Sequence, residues 1–375
     1  MPGGLPDRRL TLPEWGVVTP HETAARLVTW LLSDEVQLAE GPEAGGVLGW
    51  FDGEASGRFV YPEVTGYYLT FLSFLRAHGW PAVDLPYRAR QAAGWLYRRF
   101  RQQSLPATRL YVSEPAVPDW RNNFSFSFDL AMIWRGIAMA RQLAGPAHSG
   151  LLQSSLERRL FDLCSPEGGL LASVPIKPGP AVESWSTHPG AFQLKSAAAL
   201  LCSGTGPPSE LRRPAELTRE QFRGWMPNGG ERELLHPCLY FVEGALLLGA
   251  AGDDRLLRQA AAVLERLVRT AIEPLTDDAL TGLRSDVLAQ TLRSGCLLEA
   301  GGYLHWAAWH SLLPKLAAAL CQYCDAEGRI YFQRDVAGRR RHVNVWSGLF
   351  AAQALIWYGH WRRLDLPLAA AAWLV

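Results

Sequence analysis

The stretch HPCLYFVEGALLLGA, residues 236–250, places His236, Tyr240 and Glu243 at i, i+4 and i+7, which is one face of a helix. Apolar or small residues surround that stripe, so the helix is expected to be buried on nearly every side. A buried helix with a polar inward stripe needs partners or a ligand to satisfy it. Five further stretches repeat the design: YPEVTGYYLTFLSFL at 61–75, FSFDLAMIWRGIAMA at 126–140, HPGAFQLKSAAALLC at 188–202, RSDVLAQTLRSGCLL at 284–298 and NVWSGLFAAQALIWY at 344–358. Their starts lie roughly 50 to 65 residues apart, a spacing that asks for a repeat architecture. Amphipathic segments fall between them, near 21–33, 86–102, 150–163, 208–224, 253–271 and 309–322. The repeat unit is therefore a helical hairpin. Six hairpins predict an all-α fold in which six inner helices are ringed by six outer ones, as one domain over 1–375.

The segments that lead from an outer helix into the next inner one share a character. Most carry Gly or Pro, an acidic residue and aromatics, and EGGLLASV and EGRIYFQRD read as small β-hairpins. In a closed ring these segments emerge on one face, at the N-terminal ends of the inner helices. Helix-terminal N–H groups gathered there favour anionic groups. The opposite connections, such as AHGWPAVDLP and AGPAHSG, are shorter and plainer, so function is expected at the long-loop face.

Composition narrows the classes. Of 375 residues, 48% are hydrophobic and 19% charged, which supplies a large core and carries no disorder signature. A formal net charge of +1 argues against a nucleic-acid backbone as the main partner. Fifteen tryptophans exceed what core packing asks for, and Trp faces stack on sugar rings. Of the six cysteines only Cys321 and Cys324 form a CxxC, and no second pair or nearby His completes a zinc set. No metal or other cofactor is expected. No apolar region opens MPGGLPDRRLTLPEW and no apolar run reaches spanning length, so the expected location is the cytoplasm, with no membrane span.

YPEVTGYYL (61–69), FDLAMIWRG (128–136), HPCLYFVEGALL (236–247), RSDVLAQTLR (284–293) and VWSGLFAAQAL (345–355) together resemble the six-hairpin glycosidase-like superfamily of (α/α)6 toroids. The likeness is to members associated with bacterial polysaccharide and glycoconjugate pathways, and it spans residues from about 45 to 360. It implies a carbohydrate-active enzyme. The superfamily includes hydrolases, polysaccharide lyases and sugar epimerases, and fold does not choose among them.

Glycoside hydrolysis needs two carboxyl groups facing each other across the bond, one kept protonated. Glu63, Asp129 and Asp286 are the candidates, with Asp52 on the first long loop and Tyr67 near Glu63. Against them stand bland readings: a helix-dipole carboxylate for Glu63, an N-cap for Asp129 and a structural Arg–Asp pair for Asp286. Elimination or C5-epimerisation of a uronic acid would instead need a His or Tyr base and a cation for the sugar carboxylate. His188, His236, Tyr240, Arg121 and Arg284 supply that set, with Asn123 beside Arg121. Trp120, Trp185, Trp225 and Trp346 are the expected stacking walls. Lys195, Glu243 and Arg293 lie two turns inward, and charges of both signs at one depth predict a buried ionic network on the ring axis. The basic run RRRH at 339–342 reads as a solvated arm. A toroid that binds a glycan or a protein without turnover is the competing class. No DxDD cluster supports isoprenoid cyclisation.

Overall fold

Each outer helix has one apolar stripe, and each inner helix is apolar almost all round. That difference places them. The structure, a computed structural model, describes residues 19–51, 58–81, 84–101, 107–112, 118–179, 182–203, 209–228, 234–272, 282–333 and 342–375. Outer helix α1 (Pro20–Leu31) starts at a capping box, in which the Thr19 hydroxyl accepts from the Glu22 N–H and the Glu22 carboxylate accepts from the Thr19 N–H. The inner helix α2 (Pro62–Ala77) begins on a proline at its first position and buries all of Pro62–Leu75. The chain then alternates: outer α3 (Leu85–Arg101), inner α4 (Ser127–Met139), outer α5 (Pro146–Phe161), inner α6 (Gln193–Leu201), outer α7 (Ser209–Gln221), inner α8 (Leu235–Ala250), outer α9 (Asp254–Leu267), inner α10 (Ser285–Ala300), outer α11 (Trp309–Cys321) and inner α12 (Val345–Arg362). A single turn, Arg141–Ala144, links α4 to α5.

Each inner helix packs on the next, and α12 packs back on α2, so the ring closes. Helix α8 is buried along the whole of Leu235–Gly249. Outer α9 turns only Leu256, Leu257, Ala260, Ala261, Val263, Leu264 and Leu267 inward, the helical stripe expected of a surface helix. No helix among the described residues is long and apolar enough to cross a membrane.

Helix boundaries depart from the sequence expectation at one place that matters. The third inner helix starts at Gln193 and not at 188, because Pro189 and Gly190 follow a 3-10 turn at Trp185–Thr187 that leaves His188 extended. His188 and Lys195 are therefore not on one helical face.

The long-loop face carries the short β-structure. Tight turns bring Cys164 opposite Leu170 and Cys324 opposite Ile330 as single bridges. The ladders run between neighbouring loops: β2 (Phe59–Val60) pairs with β3 (Leu110–Tyr111), and β4 (Phe124–Phe126) with β5 (Ser173–Pro175), all antiparallel. β1 (Trp50–Phe51) pairs with β6 (Val343–Asn344) and ties the first loop to the last. The β-structure thus staples the mouth of the ring shut at its seam.

Inner helices approach closely where they carry glycine. A Cβ on Gly136 would lie 2.2 Å from the Gly66 carbonyl oxygen, and one on Gly66 would lie 2.7 Å from the Ile133 Cα. Backbone meets backbone there, so the strain cannot be relieved by a rotamer change. We expect Gly136→Ala to cost about 1–3 kcal/mol through overpacking, measured as a lower urea midpoint at unchanged m-value.

The opposite end of the ring is filled by a 3-10 segment, Leu368–Trp373, continuing to Val375. Arg135 donates to the Ala372 carbonyl at 2.7 Å and the Leu374 carbonyl at 3.3 Å. Gln353 donates to the Trp373 carbonyl at 2.7 Å and accepts from the Val375 N–H at 3.2 Å.

Candidate functional site

All six inner helices send a residue from their first turn, or from the chain just before it, to one cavity of about 310 Å³ at the long-loop face. From α2 come Tyr61 and Glu63, from α4 Phe126, Phe128 and Asp129, and before α6 Trp185 and Phe192. From α8 come His236 and Tyr240, before α10 Arg284, and around the start of α12 His342 and Trp346. Trp50, Arg109, Arg121 and Phe332 complete the rim and walls from the loops. The aromatic walls offer flat apolar faces, and the carboxyls, imidazole and guanidiniums supply a few convergent polar groups.

Two carboxyl groups share this space. Glu63 is 8% exposed, and burial pushes its pKa up to about 7, although the nearby Tyr61, Lys195, Tyr67 and Arg109 pull the other way. Burial first, and the neighbouring Glu63 charge second, hold Asp129 well above the usual carboxylate range against the pull of Arg109 and Arg121. Like charges in one cavity cannot both form freely. Ionisation of Glu63, whose pKa is about 7, thus disfavours ionisation of Asp129.

The guanidiniums are set by buried acids. Asp119 accepts from Arg109 at 2.8 Å, from the Arg121 guanidinium at 3.3 Å and from the Tyr111 hydroxyl at 3.0 Å. Arg109 also stacks over the Trp50 ring at 4.0 Å, and Arg121 over Trp120 at 4.5 Å. Arg284 forks onto Asp286, donating at 3.0 and 2.5 Å, and stacks over Phe332 at 4.6 Å.

His236 is oriented from behind. Its Nδ1 lies 2.7 Å from the Gln290 Oε1 and 3.4 Å from an Asp286 carboxylate oxygen. Both are acceptors, so Nδ1 carries the hydrogen and Nε2 is left with a lone pair. Burial drops the imidazole to about 4, against the pull of Asp286, and the ring stays neutral at pH 7. Burial would raise Asp286, but Arg284 and His236 outweigh it and keep it ionised below the usual range. Asp286 also accepts from the Trp346 indole at 3.2 Å.

The cavity gathers Glu63, Asp129, His236, Tyr240, Arg121, Arg284, Trp185 and Trp346 from the residues singled out in sequence. Others lie elsewhere. Asp286 sits fully buried behind Arg284 and His236, where it orients them. Tyr67 lies beneath the floor, its hydroxyl 3.3 Å from that of Tyr240. Burial pushes both phenols well above their usual range, so Tyr240 is a donor at neutral pH and not the base the uronate chemistry would need. His188 falls outside because its extended backbone turns it from the ring; its imidazole is 56% exposed, 3.7 Å from Glu183. Trp120 backs Arg121. The Asn123 carbonyl accepts from the Ile176 N–H in the loop pairing. Trp225 packs on Phe241 on the outer side of α8. Asp52 lies outside the described residues.

Several lining residues carried little sequence signal. Arg109 stands in a short strand-like run, and Trp50, Phe126 and Phe192 read as ordinary apolar positions. His342, read as the end of a solvated arm, instead lines the cavity and stacks on Phe332 at 4.9 Å, because β6 turns inward at the seam. The expected axial network is present. Glu243 accepts from Lys195 at 2.7 Å and from the Arg293 Nε at 2.8 Å and Nη2, all three side chains fully buried.

No protein-family model and no curated protein matches the sequence. Solved structures do match. A cellobiose 2-epimerase from Bacillus thermoamylovorans aligns at a TM-score of 0.66 with 11% identity, over 90% of this chain and 98% of that one. The chain has the (α/α)6 toroid fold. An unsaturated glucuronyl hydrolase specific for heparin aligns at 0.61 with 10% identity, over 93% and 98%. A type II terpene cyclase from Scytonema aligns at 0.52 with 14% identity, over 95% and 98%. Toroids with unlike chemistries stand side by side here, so the reaction must be argued from the cavity.

Proposed function

We propose that this toroid is a carbohydrate-active enzyme that hydrolyses a glycosidic bond in an oligosaccharide, with Asp129 as general acid and Glu63 as base or nucleophile. One observation carries the assignment: two carboxyl groups, Glu63 and Asp129, share a single aromatic-walled cavity, and burial raises the pKa of both while the charge of Glu63 further opposes ionisation of Asp129. A carboxyl pair in which ionising one member holds the proton on the other supplies an acid and a base. In the reaction the Asp129 proton passes to the leaving glycosidic oxygen. The Glu63 carboxylate takes a proton from the attacking water, or attacks the anomeric carbon itself. Trp185 and Trp346 supply flat faces for sugar rings, and Arg121 and Arg284 supply donors for hydroxyl or acidic substituents.

The test is a panel of neutral and uronate-containing oligosaccharides, read by new reducing ends and by anomeric proton signals. Because Glu63 must be ionised to act, hydrolysis is expected to rise as pH increases through about 7. A profile that falls through that pH would reverse the two roles.

A second reading is favoured by His236. Its imidazole lines the cavity beside Arg284 with Nδ1 held by Gln290, which leaves the Nε2 lone pair to take a proton from a carbon next to a carbonyl. The same incubations in D2O separate the readings. Deuterium appearing on a sugar carbon without chain cleavage would place isomerisation or epimerisation ahead of hydrolysis.

A further inference from the structure

Two guanidiniums at the cavity, Arg121 and Arg284, are held in the same way. Each lies against a ring, Arg121 on Trp120 at 4.5 Å and Arg284 on Phe332 at 4.6 Å, and each is anchored by a buried carboxylate two positions away in the chain. Both line the cavity, with side chains 35% and 32% exposed. A guanidinium carries five N–H donors in a fixed planar fork. Among the described residues the Arg121 guanidinium spends one of them, on Asp119 at 3.3 Å, and Arg284 spends two, on Asp286 at 3.0 and 2.5 Å. The other donors of each are left for a ligand.

Their charges are balanced differently. Arg284 forks onto Asp286, one cation on one fully buried anion. On the opposite side one carboxylate serves two cations. Asp119 accepts from Arg109 at 2.8 Å and from the Arg121 guanidinium at 3.3 Å, and it also takes the Tyr111 hydroxyl at 3.0 Å and the Arg121 N–H at 3.1 Å. Its shorter ion pair goes to Arg109, whose side chain is buried. Among the described residues no other carboxylate, Glu63 and Asp129 included, forms an ion pair with Arg109 or Arg121. One positive charge on this wall is therefore unmatched, and Arg121 is the more exposed of the two that share it. A neutral sugar would leave that charge as it is. An acidic substituent would match it, and a planar fork fits the paired oxygens of a carboxylate or sulfate.

We propose that the substrate carries an acidic group, a uronate carboxylate or a sulfate ester, and that Arg121 receives it against the Asp119–Arg109 pair while Arg284 serves hydroxyl groups. The inference rests on this cavity being the sugar site, and it names the class of sugar.

The experiment measures binding of three monosaccharides to the full chain by calorimetry: glucuronate, glucose 6-sulfate and glucose. Wild type is expected to bind at least one acidic probe about tenfold or more tighter than glucose, as a charge-assisted hydrogen bond supplies. The preferred acid tells carboxylate from sulfate. In Arg121→Gln the three affinities should converge. Arg121→Lys, which keeps the charge but not the fork, should restore part of the preference. Arg121→Gln leaves Asp119 with Arg109 and Tyr111, so its urea midpoint should stay near that of wild type. Arg284→Lys keeps a cation on Asp286 and should weaken acidic and neutral probes by the same factor. Equal affinities in wild type, no binding of any probe, or a preference unchanged in Arg121→Gln overturns the proposal, as does loss of preference in Arg284→Lys alone. Preference for the acid with no cleavage of any oligosaccharide would reject hydrolysis and leave this subsite standing. Cleavage of neutral oligosaccharides with no preference in binding would do the reverse.

Discussion

Asp129→Asn is expected to keep the fold and lower hydrolysis by about 10²–10⁴-fold, the usual contribution of a positioned general acid. Asn has nearly the same shape, and burial and the nearby Glu63 charge already disfavour the ionised form of Asp129. The substitution therefore orphans no buried charge. What it removes is a transferable proton. A leaving alkoxide must then depart unprotonated, so the deficit should be greatest for substrates with poorly activated leaving groups and small for aryl glycosides. The loss should fall on kcat with KM nearly unchanged, because the interaction is made in the transition state. Matching rates for the variant and wild type on a natural-type oligosaccharide would dismiss Asp129 as the acid. Equal losses on aryl and alkyl glycosides would point to a binding role.

Glu243→Gln is expected to cost about 3–5 kcal/mol of stability, because it leaves the buried Lys195 and Arg293 cations without their anion. Both partners are fully buried. The loss should appear in urea unfolding as a lower midpoint. The pH dependence gives it a signature. Burial would raise Glu243, yet Arg293 and Lys195 outweigh it and hold the carboxyl below its usual range. A depressed carboxylate stabilises the fold above its unfolded acidity and loses that contribution as pH falls through its folded value. The gap between wild type and Glu243→Gln is therefore widest near neutral pH and closes in acid. A constant gap across that range would assign the cost to packing and not to charge.

The two substitutions also separate two layers of the ring. Asp129 stands at the mouth, where burial and the neighbouring Glu63 charge disfavour its ionisation. Glu243 stands two turns below, where charge holds the inner helices and the 368–375 segment together. Lys195 touches both layers.

Much of the architecture was legible in the chain. Helix α8 announced itself because a helix buried on every side must be apolar on every side, and 236–250 is apolar but for one stripe. Repeating that signature six times leaves few ways to bury all the stripes together, and a closed ring is one that uses local contacts. The polar stripe of 236–250 also foretold the axial network, since Glu243 cannot be buried alone. The candidate site was legible where it coincides with helix starts, as at Glu63, Asp129 and His236, because the first turns of the inner helices must face the mouth.

The rest depended on distant parts of the chain meeting. Arg109 carries no local sign of its place; it reaches the cavity because β3 pairs with β2 and Asp119 fixes its guanidinium. His342 turned inward because β6 pairs with β1 across the seam, a contact between residues nearly three hundred positions apart. His188 went the other way, since Pro189 and Gly190 delayed the helix it seemed to open. Sequence by itself determined the repeat, the burial of the inner helices and the turn of helix on which each polar group sits, all of which follow from local periodicity. Only the tertiary structure decided which of those groups share a cavity and how acidic each becomes. Solvent exclusion and charge proximity are properties of the assembled ring, and no single helix carries them.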